Sequence, residues 1–268
     1  MRSREVTPEF SRICCPIRDA VNEQNHSSFF RMVSKAATQE GQDPDYVKGA
    51  FARIADNYVL TNHVLSAGMD ILWRRKAGRM VAGLHPLRVL DVATGTGDLA
   101  LEIQRRCPDA EVLGTDFCEE MLRHARERGL REVIKADALE LPFEDESFDV
   151  ATVGFGLRNM ANWEGGLREM SRVVRTGGLV LVLDFSMPQG IFRRPYGFYL
   201  TRVLPVIAGA ITGEPEAYGY LAESIDRFPS GEPMLGLFSG AGLLKPEWIP
   251  LSAGIASIYT GQVPAPQS

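Results

Sequence analysis

Asp91-Val92-Ala93-Thr94-Gly95-Thr96-Gly97-Asp98-Leu99-Ala100, directly after Leu87-Arg88-Val89-Leu90, decides how this 268-residue chain folds. An apolar run ends in a carboxylate, two glycines alternate with threonines, and a helix-forming run follows. That order describes a buried strand closing in a tight turn that opens into a helix. Glycine lets the backbone bend sharply and lets a ligand approach it closely. The next strand reads as Ala110-Glu111-Val112-Leu113-Gly114-Thr115-Asp116, with Asp116 at its carboxyl end. A glycine turn followed about twenty residues later by a strand-end carboxylate suits an adenosine-containing ligand, whose ribose hydroxyls the acid accepts. The same glycines also serve a sharp turn in their own right, and Asp98 complements the dipole of the helix it enters.

Gly95-x-Gly97-x-x-Ala100 fits a dinucleotide fingerprint, so a nicotinamide or flavin enzyme is one reading. The charges point elsewhere. Asp91 and Asp98 put two carboxylates near the place a pyrophosphate would occupy. Burying anion beside anion costs several kcal/mol unless a cation intervenes. A donor carrying an ammonium and a sulfonium meets no such repulsion, so S-adenosylmethionine is the expected cofactor. Asp91, Gly95, Gly97 and Asp116 are its expected neighbours. Val133-Ile134-Lys135-Ala136-Asp137-Ala138 reads as a third strand running into a loop. There Asp137 suits the adenine amino group and the Ala138 amide a ring nitrogen, though a loop or helix-capping aspartate reads the same way.

Ser147 to Val153 is the fourth expected strand, and Gly154-Phe155-Gly156-Leu157-Arg158-Asn159 forms a second glycine-relaxed turn at the same sheet edge. Ligands of open parallel sheets bind outside the carboxyl ends of strands, where strand order reverses. Glu164 to Arg175 has helical spacing, and Thr176-Gly177-Gly178 is expected to end it. Leu179 to Asp184 is apolar without interruption, which suits a strand in mid-sheet. Pro215 to Arg227 is expected to be helical. Lys245 to Pro250 and Gly254 to Thr260 read as two strands whose tight connection makes them antiparallel. Alternation of strand and helix gives an α/β domain with a mostly parallel sheet.

From about Tyr46 to Gly261 the chain resembles the class I S-adenosylmethionine-dependent methyltransferases. Within them it is similar to the quinone-biosynthesis C-methyltransferases acting on demethylmenaquinone or the equivalent ubiquinone precursor. Four separated blocks carry the likeness: Asp91 to Leu99; Gly154-Phe155-Gly156-Leu157-Arg158-Asn159-Met160; Tyr220 to Ile225 with Phe228-Pro229; and Phe51 to Ala55 with Asn62, Leu65-Ser66 and Trp73-Arg74-Arg75. The chain departs from that pattern at Val59, His63 and Asp70. The resemblance implies a Rossmann-like seven-stranded sheet with helices on both faces and an antiparallel last strand. It implies cofactor contacts at Thr96, Asp116, Asp137 and Ala138.

Methylating a carbon requires an electron-rich carbon in line with the donor methyl, and an ionised ring hydroxyl of a quinol supplies it. Arg158 is the candidate whose charge lowers that hydroxyl's pKa, directly or through water. Asn159 would orient the water or the second hydroxyl. Arg158 pairing with a carboxylate to hold its turn fits the sequence equally well. Tyr58, Asn62, Tyr218 and Tyr220 are candidate substrate contacts. Two other readings remain: a methyltransferase for another small aromatic or lipid substrate, and a non-catalytic cofactor-binding subunit.

Composition sets the boundaries. With 45% hydrophobic residues and net charge −5, the chain can bury one sizeable core and lacks a phosphate-tracking surface, so nucleic acid is not an expected partner. Cys14, Cys15, Cys107 and Cys118 show no metal spacing, so no metal is expected and cytoplasmic residence fits. Residues 1–43 read as a poorly ordered extension, 44–262 as the catalytic domain, and 263–268 as a loose tail. Within the domain, 44–82 supplies helices and 187–231 a lid. No window reaches the roughly 18 to 20 apolar residues that span a bilayer. Val203 to Ile211, following Arg193, Arg194 and Arg202, reads as a lid helix or as an apolar mouth making transient, peripheral contact with a membrane surface. A homodimer is compatible with the sequence.

Overall fold

The computed structural model describes residues 66, 68–204, 206 and 223–265. Tyr58, Asn62, Tyr218, Tyr220, the extension 1–43 and most of the Val203–Ile211 run lie outside the described residues. Helix α1 (Met69–Ala82) precedes β1 (Arg88–Val92), α2 (Asp98–Arg106), β2 (Glu111–Asp116), α3 (Glu119–Glu127) and β3 (Glu132–Lys135). Then come β4 (Phe148–Gly154), α4 (Trp163–Val173), β5 (Val174–Phe185), α5 (Arg193–Phe198), α6 (Glu232–Gly240), β6 (Leu244–Leu251) and β7 (Ala256–Gln262).

The seven strands form one sheet in the order β3-β2-β1-β4-β5-β7-β6. All neighbours are parallel except β7, which runs antiparallel to both β5 and β6. The chain moves outward from β1 to β3, then returns to lay β4 on the other side of β1. That reversal opens a crevice at the carboxyl ends of β1 and β4.

Alternation along the strands sends side chains to two cores. Val180 and Val182 of β5 join Leu167 and Met170 of α4 and Phe238 of α6 on one face. Leu181 and Leu183 join Trp73 and Ala77 of α1 and Ile103 of α2 on the other. A strand buried on both faces explains the uninterrupted apolar run of β5. Each fully buried leucine contributes roughly 1.5–3 kcal/mol. Helix α1 sits close to α2 at Gly78, where a Cβ would stand 3.0 Å from the Glu102 Cγ.

Two expectations need correction. Helix α4 ends at Val173, and β5 starts at Val174, before the Thr176-Gly177-Gly178 segment. Val174 pairs with Phe148 and the register then shifts, so the glycines lie inside an irregular strand. Helix α6 had no counterpart in the sequence reading. Its first turn carries a proline, which is a helix-start signal, but its residues are apolar on nearly every side. Met234 and Phe238 on this helix are fully buried.

Candidate active site

The turn after β1 is built from backbone bonds. The Thr94 N–H donates to the Thr115 carbonyl at 2.8 Å, and the Gly97 N–H to the Thr94 carbonyl at 2.9 Å. Gly97 has φ +82, in the left-handed region where a side chain would be strained. The turn after β4 approaches it so closely that a Cβ on Gly156 would lie 2.7 Å from the Ala93 Cβ. Ala93 and Phe155 themselves take φ of 49 and 60, so both turns hold non-glycine residues in a sparsely populated region.

Between these turns is a cavity of about 150 Å3, lined by Arg74, Asp91, Asp98, Asp116, Phe155 and Asn159 among others. Gly95, Asp137 and Ala138 line it as well, whereas Thr96 and Gly97 are not among its lining residues. Thr96 instead braces the turn: its hydroxyl donates to Asp98 at 3.0 Å and its carbonyl accepts from Arg128 at 2.7 Å.

The carboxylates differ in their surroundings. Asp91 accepts from the hydroxyls of Thr94 and Thr152, each at 2.6 Å, and burial pushes its pKa up to about 6. Asp116 accepts from the Gly95 N–H at 2.8 Å and the Cys118 N–H at 2.9 Å; burial pushes it to about 6 too. Asp98 behaves otherwise. Burial opposes its charge, yet Arg74 and Arg128 beside it hold the carboxyl below the usual range. The unbroken negative lining expected from sequence is therefore relieved at Asp98 by two arginines. Asp137 is exposed, and its carboxylate accepts from the Leu139 N–H at 2.9 Å.

Arg158 is buried beneath the β4 turn and does not line this cavity. Its Nη1 donates to Asp184 at 2.8 Å and to the Phe155 carbonyl, and its guanidinium lies 5.3 Å from the Phe185 ring centre. Asn159 does face the cavity. Sequence reasoning gave no role to Asp184, although it stood in plain view as the acid ending the apolar run of β5. It also missed Arg74, whose neighbour Trp73 announces a buried helix face.

A second cavity, about 370 Å3, is lined among the described residues by Met69, Trp73, Phe185, Tyr196, Leu200, Leu204 and their neighbours. Three rings separate it from the first. Phe155 and Phe185 stand 4.7 Å apart, and Trp73 lies 6.2 Å and 6.1 Å from them.

A strand-turn-helix crevice of this kind, with strand-end acids, sits on a fold many enzymes share. What decides among them is the match to known sequences. The model of the ubiE/COQ5 methyltransferase family matches residues 37–263. The chain belongs to the ubiE/COQ5 methyltransferase family. It is 44% identical to the demethylmenaquinone methyltransferase of Thermus thermophilus over 80% of this chain and 100% of that one. It is 42% identical to the ubiquinone/menaquinone biosynthesis C-methyltransferase UbiE of Bdellovibrio bacteriovorus, over 82% and 97%. A solved SAM-dependent methyltransferase of Thermotoga maritima shares the fold, with TM-score 0.60 and 22% identity over 80% of this chain and 99% of that one.

As a member of this methyltransferase family, the chain is an S-adenosylmethionine-dependent enzyme. The crevice suits that cofactor. Its acids Asp91, Asp116 and Asp137 stand on β1, on β2 and just after β3, along one edge of the sheet. Among the described residues no group of three metal-ligating side chains is present. No described helix is long and apolar enough to cross a membrane.

Proposed function

We propose that the chain transfers the methyl group of S-adenosylmethionine to a ring carbon of a demethylated isoprenoid quinol, of menaquinol or ubiquinol-precursor type. The observation that carries this reading is the pair of cavities: an acidic crevice, where the reacting ring meets the donor methyl, and, beyond Phe155, Phe185 and Trp73, an apolar space of about 370 Å3 for the tail. The names of the relatives above support the same acceptor class.

When bound, S-adenosylmethionine supplies a methyl group on a cationic sulfur. Asp116 accepts from its ribose hydroxyls, Asp137 and the Ala138 amide meet the adenine edge, and the Gly95–Gly97 turn lets the backbone approach. Asp91 holds that turn through Thr94 and Thr152. On the acceptor, an ionised hydroxyl pushes electron density onto the neighbouring carbon, which loses its proton after accepting the methyl. Arg158, with Asp184 compensating part of its charge, favours the ionised hydroxyl from behind the wall. Tyr196 lines the apolar cavity; burial and the neighbouring Tyr199 push its hydroxyl up, and the Arg158 charge opposes them only in part. Asn159, in the crevice wall, orients the acceptor. Tyr58, Asn62, Tyr218 and Tyr220 remain acceptor contacts by sequence only. Holding both reactants in line is worth several kcal/mol.

The acceptor's tail suggests that the enzyme, cytoplasmic in this reading, touches a membrane. Ile191, Phe192 and Phe198 are exposed beside the exposed Arg193, Arg194 and Arg202, a pairing that suits an anionic lipid surface. Co-sedimentation with anionic vesicles is expected for the wild type and weakened in Phe198→Asp; wild type left in the supernatant removes this contact. The activity itself is tested by incubating the full chain with methyl-labelled donor and a panel of demethylated quinols. Label is expected on the ring of a tailed quinol. Label on none of them, or uptake of a nicotinamide dinucleotide in place of the donor, overturns the reading.

A further inference from the structure

The crevice runs along the carboxyl ends of four strands, and its order fixes which end of the donor lies where. Asp137 and Ala138 follow β3, Asp116 ends β2, the glycine turn follows β1, and Phe155 follows β4. With the base at the β3 end and the ribose at Asp116, the donor's amino-acid end falls between the β1 and β4 turns. That end is a zwitterion, with an ammonium and a carboxylate. Of the crevice's charged lining residues, Asp91, Asp98, Asp116 and Asp137 are acids, and Arg74 is the one cation among the described residues there.

Arg74 is placed at that end. It is 7% exposed, its guanidinium stands 5.2 Å from the Phe155 ring centre, and its Nη2 lies 3.9 Å from Asp98. Its position is fixed from behind. Asp70, one helical turn earlier and 1% exposed, accepts from Arg74 Nη1 and also from the Ser66 hydroxyl at 2.6 Å. Asp98, braced by Arg128 at 2.7 Å, stays charged beside it. Arg74 and Asp98 thus present opposite charges, side by side, at the end of the crevice away from the base.

We propose that Arg74 takes the carboxylate of the methyl donor and Asp98 its ammonium, a pair that reads the amino-acid end as a zwitterion. The proposal rests on the crevice being the donor site. Arg74 is a specificity residue here: its planar fork suits a carboxylate, and an arginine–carboxylate contact in a nearly dry site is among the stronger polar contacts.

The test uses two donors, S-adenosylmethionine and its decarboxylated form, which keeps the adenosine, sulfonium and amine. Calorimetric titration of the full wild-type chain is expected to give at least about tenfold tighter binding of the carboxylated ligand. In Arg74→Met its affinity falls to about that of the decarboxylated ligand, whose own affinity changes less than about twofold. Arg74→Lys, which keeps the charge on a similar stem, retains part of the preference. Equal wild-type affinity for the two ligands overturns the proposal without recourse to any variant. So does an equal loss for both in Arg74→Met, the signature of a purely structural arginine. A wild type that binds neither ligand sinks the donor-site reading itself, a result that no pattern of preference can mimic.

Discussion

The crevice and the apolar cavity lie on either side of the same three rings, yet they are built in opposite ways. In the crevice, each acid near the glycine turn is fixed by neighbours on the sheet: Asp116 by the N–H groups of Gly95 and Cys118, Asp91 by two threonine hydroxyls from β4 and the β1 turn. The strand spacing sets their separations. The cavity is walled by side chains from α1, the end of β5, the segment around α5, and Ile225 and Ile255 far along the chain. Apolar contact holds it. A substitution in the first region therefore removes a directed contact, whereas one in the second changes volume. The two ligands should feel such changes separately.

Asp116→Ala offers the sharpest break of that separation. It deletes the acceptor for two backbone N–H groups and for the proposed ribose contact. The donor dissociation constant is expected to rise about 100-fold, equivalent to about 2.7 kcal/mol. At saturating donor, the KM for the quinol should stay within about twofold. Titration calorimetry and steady-state rates measure the two effects; a loss shared equally by both ligands would show that the regions are one site.

Arg158→Ala comes next and probes the wall between them. Removing the guanidinium leaves Asp184, 0% exposed, without its cation, and breaking a buried pair costs about 3–5 kcal/mol. Turnover is expected to fall at least about tenfold, or 1.4 kcal/mol, while donor affinity is kept. Arg158→Lys separates structure from charge: it should restore the melting temperature and part of the turnover. If Arg158 favours the ionised acceptor, the pH at which turnover rises moves upward in Arg158→Ala. An unmoved pH profile, with turnover following stability alone, would reduce Arg158 to a brace.

This contrast also explains what the sequence could and could not disclose. Seven strands, their alternation with helices and the antiparallel end were legible because each follows from local periodicity and turn chemistry. Asp91, Gly95, Asp116, Asp137 and Ala138 were placed together by the sequence because each stands at or just after the carboxyl end of a strand on one sheet edge, and all five line the crevice. Thr96 was expected as a direct contact; in the structure its hydroxyl donates to Asp98. Arg74 and Asp184 escaped for another reason. Their roles depend on how α1 lies over the β4 turn and how β5 lies beside it, and no local pattern encodes either packing. Helix α6 escaped because its nine residues are mostly apolar or small whether they face inward, like Met234 and Phe238, or outward, like Gly236, so no amphipathic period stands out.

A smaller effect follows from the raised pKa values of Asp91 and Asp116, both pushed by burial to about 6. Between pH 7.5 and 5.5 both take up protons, the crevice loses negative charge, and Asp116 loses acceptor capacity. Affinity for the cationic donor is expected to fall several-fold over that interval, about fivefold. Folding responds with the opposite sign. These groups hold protons more tightly folded than unfolded, so their stabilising share is complete below pH 4 and declines as pH rises through 6. Calorimetry and thermal melts over the same buffers check both signs. A flat affinity profile would mean that neither carboxylate faces the donor.

The smallest effect belongs to the cavity, and its size is what makes it informative. Leu200 is 4% exposed and packs in the small cluster with Leu204 and Ile225 that backs the apolar space. Leu200→Ala removes apolar surface from the wall without touching a directed contact, and the segment can partly close over the gap. The KM for a quinol carrying a prenyl tail should rise about threefold, because only a fraction of the apolar contact is lost. A tail-free quinol should show no change, and neither should donor affinity. If the tail-free compound suffers equally, the cavity holds the ring and the tail lies elsewhere. If donor affinity falls as well, the three rings do not insulate one cavity from the other, and the contrast between directed and volumetric recognition fails at its boundary.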